Sequence, residues 1–393
     1  MSKKIRVGVI FGGKSGEHEV SVQSAKSVMA SLDKEKYTVV PIGIDKAGRW
    51  QVGPQALSLM PPEDQGFFSA SQSASLDDTV QEHTAVDAQP ETNTAVSQMI
   101  STSQPAVGHS TAVPPQLAGE LDVIIPVLHG SFGEDGTIQG LLELLDVPYV
   151  GAGVLASAVG LDKVVMKTVF AAQGLPQVGF SAYTRRDLKN DTDGVVSDVE
   201  RKIGYPCFVK PANLGSSVGI SKARDRTELQ RALEVAAKYD RKIIVEQGLN
   251  VREIEIAVLG NEEPRVSVPG EIIPSNEFYD YKAKYISGES ALMIPANLPQ
   301  QQVDEIRALA VKVFQAIDCS GLARVDFFVE KGTGKVLVNE INTMPGFTKY
   351  SMYPKLWDAS GLPYDKLIDA LIQLALERHA EKQQIQTNFD LDD

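Results

Sequence analysis

The chain has 393 residues, 43% hydrophobic and 23% charged, which suits a soluble globular protein with two or three cores. Its formal charge of −13 excludes nucleic acid and anionic membrane as general partners, because nothing offsets phosphate repulsion. Cys207 and Cys319 lie far apart and make neither a disulfide framework nor a C-x-x-C pair; with no signal peptide and no long apolar run, the expected compartment is the cytoplasm.

The first predicted element is a buried strand in "IRVGVIFGG" (5–13). Within it "GVIFGGKS", Gly8 to Ser15, fits the P-loop pattern G-x-x-x-x-G-K-S, in which the first glycine opens a loop after a strand has ended. Val7, Val9, Ile10 and Phe11 form one apolar run past Gly8, so Gly8 sits inside the strand. What remains after Phe11 is too short to wrap a triphosphate, and a nucleotide is expected elsewhere. A helix follows in "EVSVQSAKSVMASL" (19–32) and a second strand in "YTVVPIGI" (37–44). No Lys or Arg occurs between Arg49 and Lys163, and about 55–119 is a polar stretch rich in Ser, Thr, Gln, Ala and Pro. Such a stretch cannot bury enough surface to offset its ordering entropy, so a mobile surface insertion is expected, with a partner-binding loop as the alternative.

Beyond the insertion come a third strand in "LDVIIPVLHG" (121–130), a helix in "GTIQGLLELLD" (136–146) and a short strand in "VPYVGAG" (147–153). Continuous Val/Ile runs alternating with helices predict an open parallel sheet buried on both faces, an α/β domain of Rossmann-like type. Ligands bind such sheets where strands end and helices begin, which makes "GGKSGEHE" and "HGSFGEDG" the lips of a candidate site. Glu17 and Glu19 suit the positive end of the helix dipole, and Glu17 suits a substrate ammonium equally well. His129, between an apolar strand and Gly130, is a satisfied turn residue or, from its place at the lip, a neighbour of the substrate.

The middle of the chain changes character. "LDKVVMKTVFAAQG" (161–174) reads as a helix with Lys163 in its first turn and Gly174 as its C-cap. "CFVKPANLGSSVGISKA" (207–223) is a strand carrying Lys210, a loop of small residues, and a return strand beginning near Val218. The "NLGSSVG" loop (213–219) is either an ordinary hairpin or a flap whose bare N–H groups close over phosphates above Lys210. "KIIVEQGLNVREIEIAVLG" (242–260) gives two strands around a turn flanked by Glu246 and Glu253, where a ribose could be hydrogen-bonded between two small lobes.

Near the C-terminus "GLARVDFFVEKGTGKVLVNEINTMPG" reads as strand, glycine-bounded turn, strand. With the turn centred on Thr333, Asp326 faces Glu340 and Arg324 faces Asn342, and alternation puts all four on one face. Two carboxylates and an amide oxygen make a hard-oxygen site suited to Mg²⁺, with Arg324 beside it for a developing oxyanion or phosphoryl group. The alternative is a salt-bridge ladder, but facing carboxylates repel unless a cation lies between them. The closing "PYDKLIDALIQLALERHAEKQQ" is an amphipathic helix expected to pack on its own domain.

Together Lys163, "VKPANLGSSVG", "VEQGLNVREIE" and "ARVDFF…VNEINTMPG" resemble the ATP-grasp enzymes. "FGGKSGEHEVS", "HGSFGEDGTIQG", "GAGVLASA…DK", "YDYKAKY" and "NEINTMPGFTKYSMYP" are similar, in order, to the D-alanine–D-alanine ligase family, over nearly the whole chain except the insertion and the last ten or so residues. The resemblance implies an N-terminal α/β substrate domain (1–155) and two α+β lobes, 156–248 and 249–393, forming an ATP-grasp fold. It implies ATP and Mg²⁺, with Mn²⁺ as a substitute, and D-alanine as the small-molecule substrate; a homodimer is the family's usual state. ATP would phosphorylate the carboxylate of one D-alanine, and the amine of a second would attack the acyl phosphate. Asp326, Glu340 and Asn342 match the metal ligands, and Lys163, Lys210, Ser217, Glu246, Leu249, Glu253 and Lys284 the ATP-binding residues. Arg324 and the N–H of Gly346 match the oxyanion donors, Glu17 and His129 the first D-alanine's site, and Ser351 and Met352 the second's. Met352 stands where some members have Leu, a volume-conserving change. Ser216 and Tyr285 match a hydrogen-bonded group with Glu17 that closes the flap and the 276–296 loop. Tyr285 stands where ligases that make D-alanyl-D-lactate resemble His, so an amine is the expected second nucleophile.

Overall fold

Gly8 sits in the middle of the first strand, between Val40 and Ile124 of its two parallel neighbours. A Cβ at this position would come within 2.7 Å of Leu121 Cδ1 and 3.0 Å of Ile42 Cδ1, so a larger residue would make these core side chains give way. In the computed structural model, which describes residues 3–65, 117, 119–215, 218–273 and 291–386, the chain folds into two units. The first takes the described residues within 1–133, 138–150 and 368–393; the second takes those within 134–137 and 151–367.

In the first unit β1 (Ile5–Gly12) is followed by α1 (His18–Ser31), β2 (Tyr37–Ile44) and β3 (Trp50–Val52), and then by β4 (Val123–Pro126) and α2 (Thr137–Leu144). The sheet order is β3-β2-β1-β4; β2 and β4 run parallel to β1, and β3 returns antiparallel as an edge hairpin. The expected third strand is shorter than its apolar run, and "VPYVGAG" contributes one parallel bridge, Tyr149 to Ile124, because Pro148 has no N–H to extend the ladder. Ile10, Ile42, Ile124, Leu128 and Leu142 are buried in this core.

In the second unit α3 (Val154–Leu161) and α4 (Lys163–Ala172) lead into a four-stranded antiparallel sheet, among the described residues, of order β5-β8-β6-β7. Its strands are β5 (Phe180–Thr184), β6 (Cys207–Pro211), β7 (Ser221–Ala223) and β8 (Lys242–Gln247). Covering helices α5 (Arg185–Asn190), α6 (Thr192–Lys202) and α7 (Arg226–Tyr239) bury Val196, Val199, Leu229 and Leu233 against Val209 and Val245. The return strand begins at Ser221 rather than near Val218, because Gly219 turns the chain at φ +74°.

The larger sheet holds β9 (Val251–Gly260), β10 (Arg265–Val266), β11 (Gly270–Ile273), β12 (Ala291–Met293), β13 (Gly321–Glu330) and β14 (Val336–Asn342), with α8 (Gln300–Ala316) before β13. Its order is β12-β11-β9-β13-β14, with β10 also on β9. Ile254, Ile256, Val325, Phe327 and Val338 form a core with Phe170 of α4 and Phe314 of α8. The opposite face carries Arg324, Asp326 and Glu255 beside apolar residues such as Leu259 and Leu322.

After α9 (Met352–Ala359), the last helix α10 (Tyr364–Lys382) joins the first unit from Ile368 onward. Asp369 accepts from the Tyr37 hydroxyl and Lys36, and the Arg378 guanidinium lies 4.4 Å from the Tyr149 ring centroid. The helix, expected to pack on its own C-terminal domain, instead belongs to the first unit from Ile368 onward, where its polar side chains find partners on β2 and beside β4.

Candidate active site

Each unit holds one cluster of candidate residues. In the first, both predicted lips meet at the C-terminal ends of β1 and β4. Ser15 Oγ donates to the His129 carbonyl at 2.6 Å and accepts from the Glu17 N–H at 3.2 Å. His129 is buried, with Nε2 3.1 Å from Ser24 Oγ, and a Cβ on Gly130 would lie 3.6 Å from Glu17 Oε2. The carboxylate of Glu17, at the head of α1, therefore stands beside a residue that has no side chain. Ser15 was missed by sequence reasoning because it lay inside the P-loop pattern.

The second cluster is on the polar face of the larger sheet. Arg324 pairs with Asn342 and Asp326 with Glu340, as the turn count expects. The route differs, however: Phe327 pairs with Val338, and the register shifts between Asp326 and Phe327. Asn339 is the extra residue of a bulge in β14. The bulge changes parity, so Val336 and Val338 before it and Ile341 after it all enter the core, while Glu340 and Asn342 share the opposite face with Arg324 and Asp326. A regular ladder would bury one of these sets wrongly.

Arg324 binds Asp326 bidentately, Nε and a terminal nitrogen each 2.7 Å from a carboxylate oxygen, and its Nε is 3.1 Å from Glu255 Oε2. Burial works against the charged guanidinium, but Asp326 and Glu255 outweigh it and hold Arg324 protonated. Glu255, opposite Asp326 on β9, was not singled out in the sequence because alternate carboxylates on a strand usually mark a solvated face. Lys163 Nζ donates to the Leu214 carbonyl at 3.0 Å and lies 3.5 Å from Glu340 Oε2. Asn342 Oδ1 accepts from the Met344 N–H at 3.1 Å.

These residues fit a hard divalent cation. A carboxylate has about four lone-pair sites, so Asp326, with one bond from Arg324 on each oxygen, keeps lone pairs for a metal. Glu340 and the Asn342 amide oxygen project from the facing strand of the same ribbon.

Glu246, read as a ribose partner, is 2% exposed. Its carboxylate bridges two ammonium groups, 2.5 Å from Lys210 and 3.1 Å from Lys167. Burial alone would raise the carboxyl pKa, but the two lysines hold it down at about 2. For Lys210 burial is likewise outweighed by Glu246, which raises it, whereas burial dominates at Lys167 and lowers it. Leu249 and Glu253 are half-buried where β8 gives way to β9. Gly346 lies against Ser351, whose Oγ would be 3.2 Å from a Cβ at 346 and accepts from the Thr348 N–H at 3.1 Å. That loop is anchored by Phe347, whose carbonyl accepts from Tyr364 at 2.5 Å. Met352 is buried beside Gly270. Ser216, Ser217, Lys284 and Tyr285 lie outside the described residues.

The chain is similar to known proteins over nearly its whole length. A sequence profile of the family "D-ala D-ala ligase N-terminus" matches residues 6–152, and one of "D-ala D-ala ligase C-terminus" matches residues 169–373. The D-alanine–D-alanine ligase of Acetivibrio thermocellus is 50% identical over 386 residues, covering 96% of this chain and 98% of its own. Among solved structures, the D-alanine–D-alanine ligase of Coxiella burnetii is 36% identical with a TM-score of 0.75, covering 98% of this chain and 97% of its own. The VanG D-Ala:D-Ser ligase of Enterococcus faecalis is 31% identical with a TM-score of 0.73, covering 95% of this chain and 100% of its own.

Proposed function

The chain belongs to the D-alanine–D-alanine ligase family, and from that premise we propose how its own residues serve the reaction. It is an ATP-dependent ligase that joins two D-alanine molecules for cell-wall synthesis. We read the reaction as two steps. The carboxylate of the first D-alanine attacks the γ-phosphorus of ATP, and ADP leaves. The amine of the second D-alanine then attacks the acyl carbon; the C–N bond forms, the C–O bond breaks, and the proton lost from nitrogen leaves with the departing phosphate.

Phosphoryl transfer asks the protein for positioning and charge neutralisation rather than for a nucleophile. Asp326, Glu340 and Asn342 would hold Mg²⁺, or Mn²⁺ in its place, and the bound ion would neutralise the charge of the phosphate oxygens. The observation that carries the reading is the direct pairing of buried Asp326 with half-buried Glu340 on one polar face, which the bulge at Asn339 maintains. Lys163 and Lys210, both of the 156–248 lobe, supply positive charge to the phosphates. Arg324, already oriented by Asp326 and Glu255, and the Gly346 N–H serve the tetrahedral oxyanion. Glu17, next to Gly130, takes the ammonium of the first D-alanine with His129 alongside. Ser351 and Met352 border the second. Ser216 and Tyr285 close over the intermediate, whose acyl phosphate water would hydrolyse.

A cytoplasmic homodimer is part of the same reading. Among the described residues no helix is long and apolar enough to cross a membrane. ADP release by the purified protein, with D-alanine as the sole amino acid, tests the function. D-alanine-dependent release that L-alanine does not support is expected. Release that requires D-serine or D-lactate as second substrate would move the chain to the D-Ala:D-Ser specificity of the VanG relative or to depsipeptide synthesis.

A further inference from the structure

Lys167 lies one turn after Lys163 on α4 and is 1% exposed. Its Nζ donates to the Asn339 carbonyl at 3.1 Å and stands 3.1 Å from Glu246 Oε1. Asn339 is the bulged residue of β14, immediately before Glu340. A bulge leaves its extra residue out of the ladder, and a buried carbonyl so released requires a donor. A neutral side chain could donate one hydrogen bond without the cost of burying a charge. The ammonium adds a second attachment, because it joins the bulge to Glu246, which is itself 2.5 Å from Lys210.

We propose that Lys167 is a positioning residue: it pins the β14 bulge to the Glu246–Lys210 pair and so fixes Glu340 opposite Asp326. The groups assigned to the metal and those assigned to the phosphates then keep one spacing. This rests on the reading of Asp326 and Glu340 as metal ligands. A side chain that only balanced the charge of Glu246 would not need to reach a carbonyl of β14, and the contact with Asn339 distinguishes the two roles.

The test is Mn²⁺ binding to the full chain with saturating ADP, followed by electron paramagnetic resonance in wild type, K167M, K167Q and E340Q. Loss of a group that orients a metal ligand typically weakens metal binding about 10–100-fold. K167M is expected to weaken Mn²⁺ binding by about tenfold or more, with the KM for D-alanine little changed. K167Q, which keeps an N–H but loses the charged link to Glu246, should weaken it less than K167M while remaining distinguishable from wild type. If K167M does not fold, K167Q carries the test alone, and wild-type affinity there overturns the proposal. Weakened binding in E340Q with wild-type affinity in K167M overturns the role of Lys167 and leaves the metal reading intact. Wild-type affinity in E340Q overturns the metal reading and the proposal with it. K167M/E246Q, measured alongside them, should stay weakened because the contact with Asn339 is still lost; restoration of wild-type affinity there would reduce Lys167 to charge balance and contradict the positioning role.

Discussion

Asp326 and Glu340 stand directly opposite each other on β13 and β14, although the residues nearer the turn pair in a register one residue different. Two carboxylates so placed repel one another unless cations intervene. Here Arg324 takes both oxygens of Asp326, and Lys163 approaches Glu340. Asp326→Asn and Glu340→Gln keep shape and remove charge. If these oxygens hold the metal, each change removes several kcal/mol of stabilisation from phosphoryl transfer. At 1.36 kcal/mol per factor of ten, kcat falls by about a hundredfold or more. Steady-state assays at several Mg²⁺ concentrations check this, and full turnover in either variant would misplace the site.

The acid limb of stability should report Glu246. Its carboxyl is held at about 2 in the fold by Lys167 and Lys210 against the effect of burial. In the unfolded chain it titrates near about 4.3. A folded value below the unfolded one stabilises the protein fully above about pH 4.3, and this stabilisation is lost as pH falls towards 2. Glu246→Gln removes that part of the pH dependence and leaves two buried ammonium groups without their shared partner. Breaking such a pair costs about 3–5 kcal/mol at neutral pH. Urea unfolding of wild type and variant between pH 2 and 7, read at the midpoint, separates the two effects.

Glu17 gives a substrate-level prediction. Its carboxylate lies beside Gly130 and its N–H is held by Ser15. A hydrogen bond to a charged group contributes about 1.5–3 kcal/mol, so Glu17→Gln should raise the KM of one D-alanine about tenfold to a hundredfold. The KM for ATP should stay near its wild-type value. A change confined to ATP would contradict the assignment.

Lys14→Met tests the N-terminal P-loop pattern. Because β1 runs through Gly8 to Gly12, the pattern has no loop in which to hold a triphosphate. The variant should leave the KM for ATP within about twofold, the range of a surface change. Gly8→Ala should instead lower stability by about 1–3 kcal/mol through overpacking against Leu121 and Ile42.

Much of this arrangement was legible in the sequence, for physical reasons that can be named. The apolar run across Gly8 announced a strand through the false P-loop, and "YTVVPIGI" fills β2 end to end. The pairing of Arg324 with Asn342 followed from counting across a glycine-bounded turn. The bulge did not follow, although "VLVNEIN" carries its trace: apolar positions at 336 and 338 and then at 341 break a period of two. The short strand expected in "VPYVGAG" failed because Pro148 limits the ladder. Lys167 gave no signal beyond a charged residue on a helix, since its meaning depends on Glu246 and Asn339, far away in sequence. The destination of α10 was equally illegible, because its partners Tyr37 and Tyr149 lie more than two hundred residues earlier.

The most direct measurement is the anomalous scattering of Mn²⁺ in crystals grown with ADP. A peak within coordination distance of Asp326, Glu340 and Asn342, with Phe327 still paired to Val338, is the predicted result. A peak bound to the nucleotide but remote from β13 and β14, or an unbulged β14 that turns Glu340 toward the core, would contradict the account.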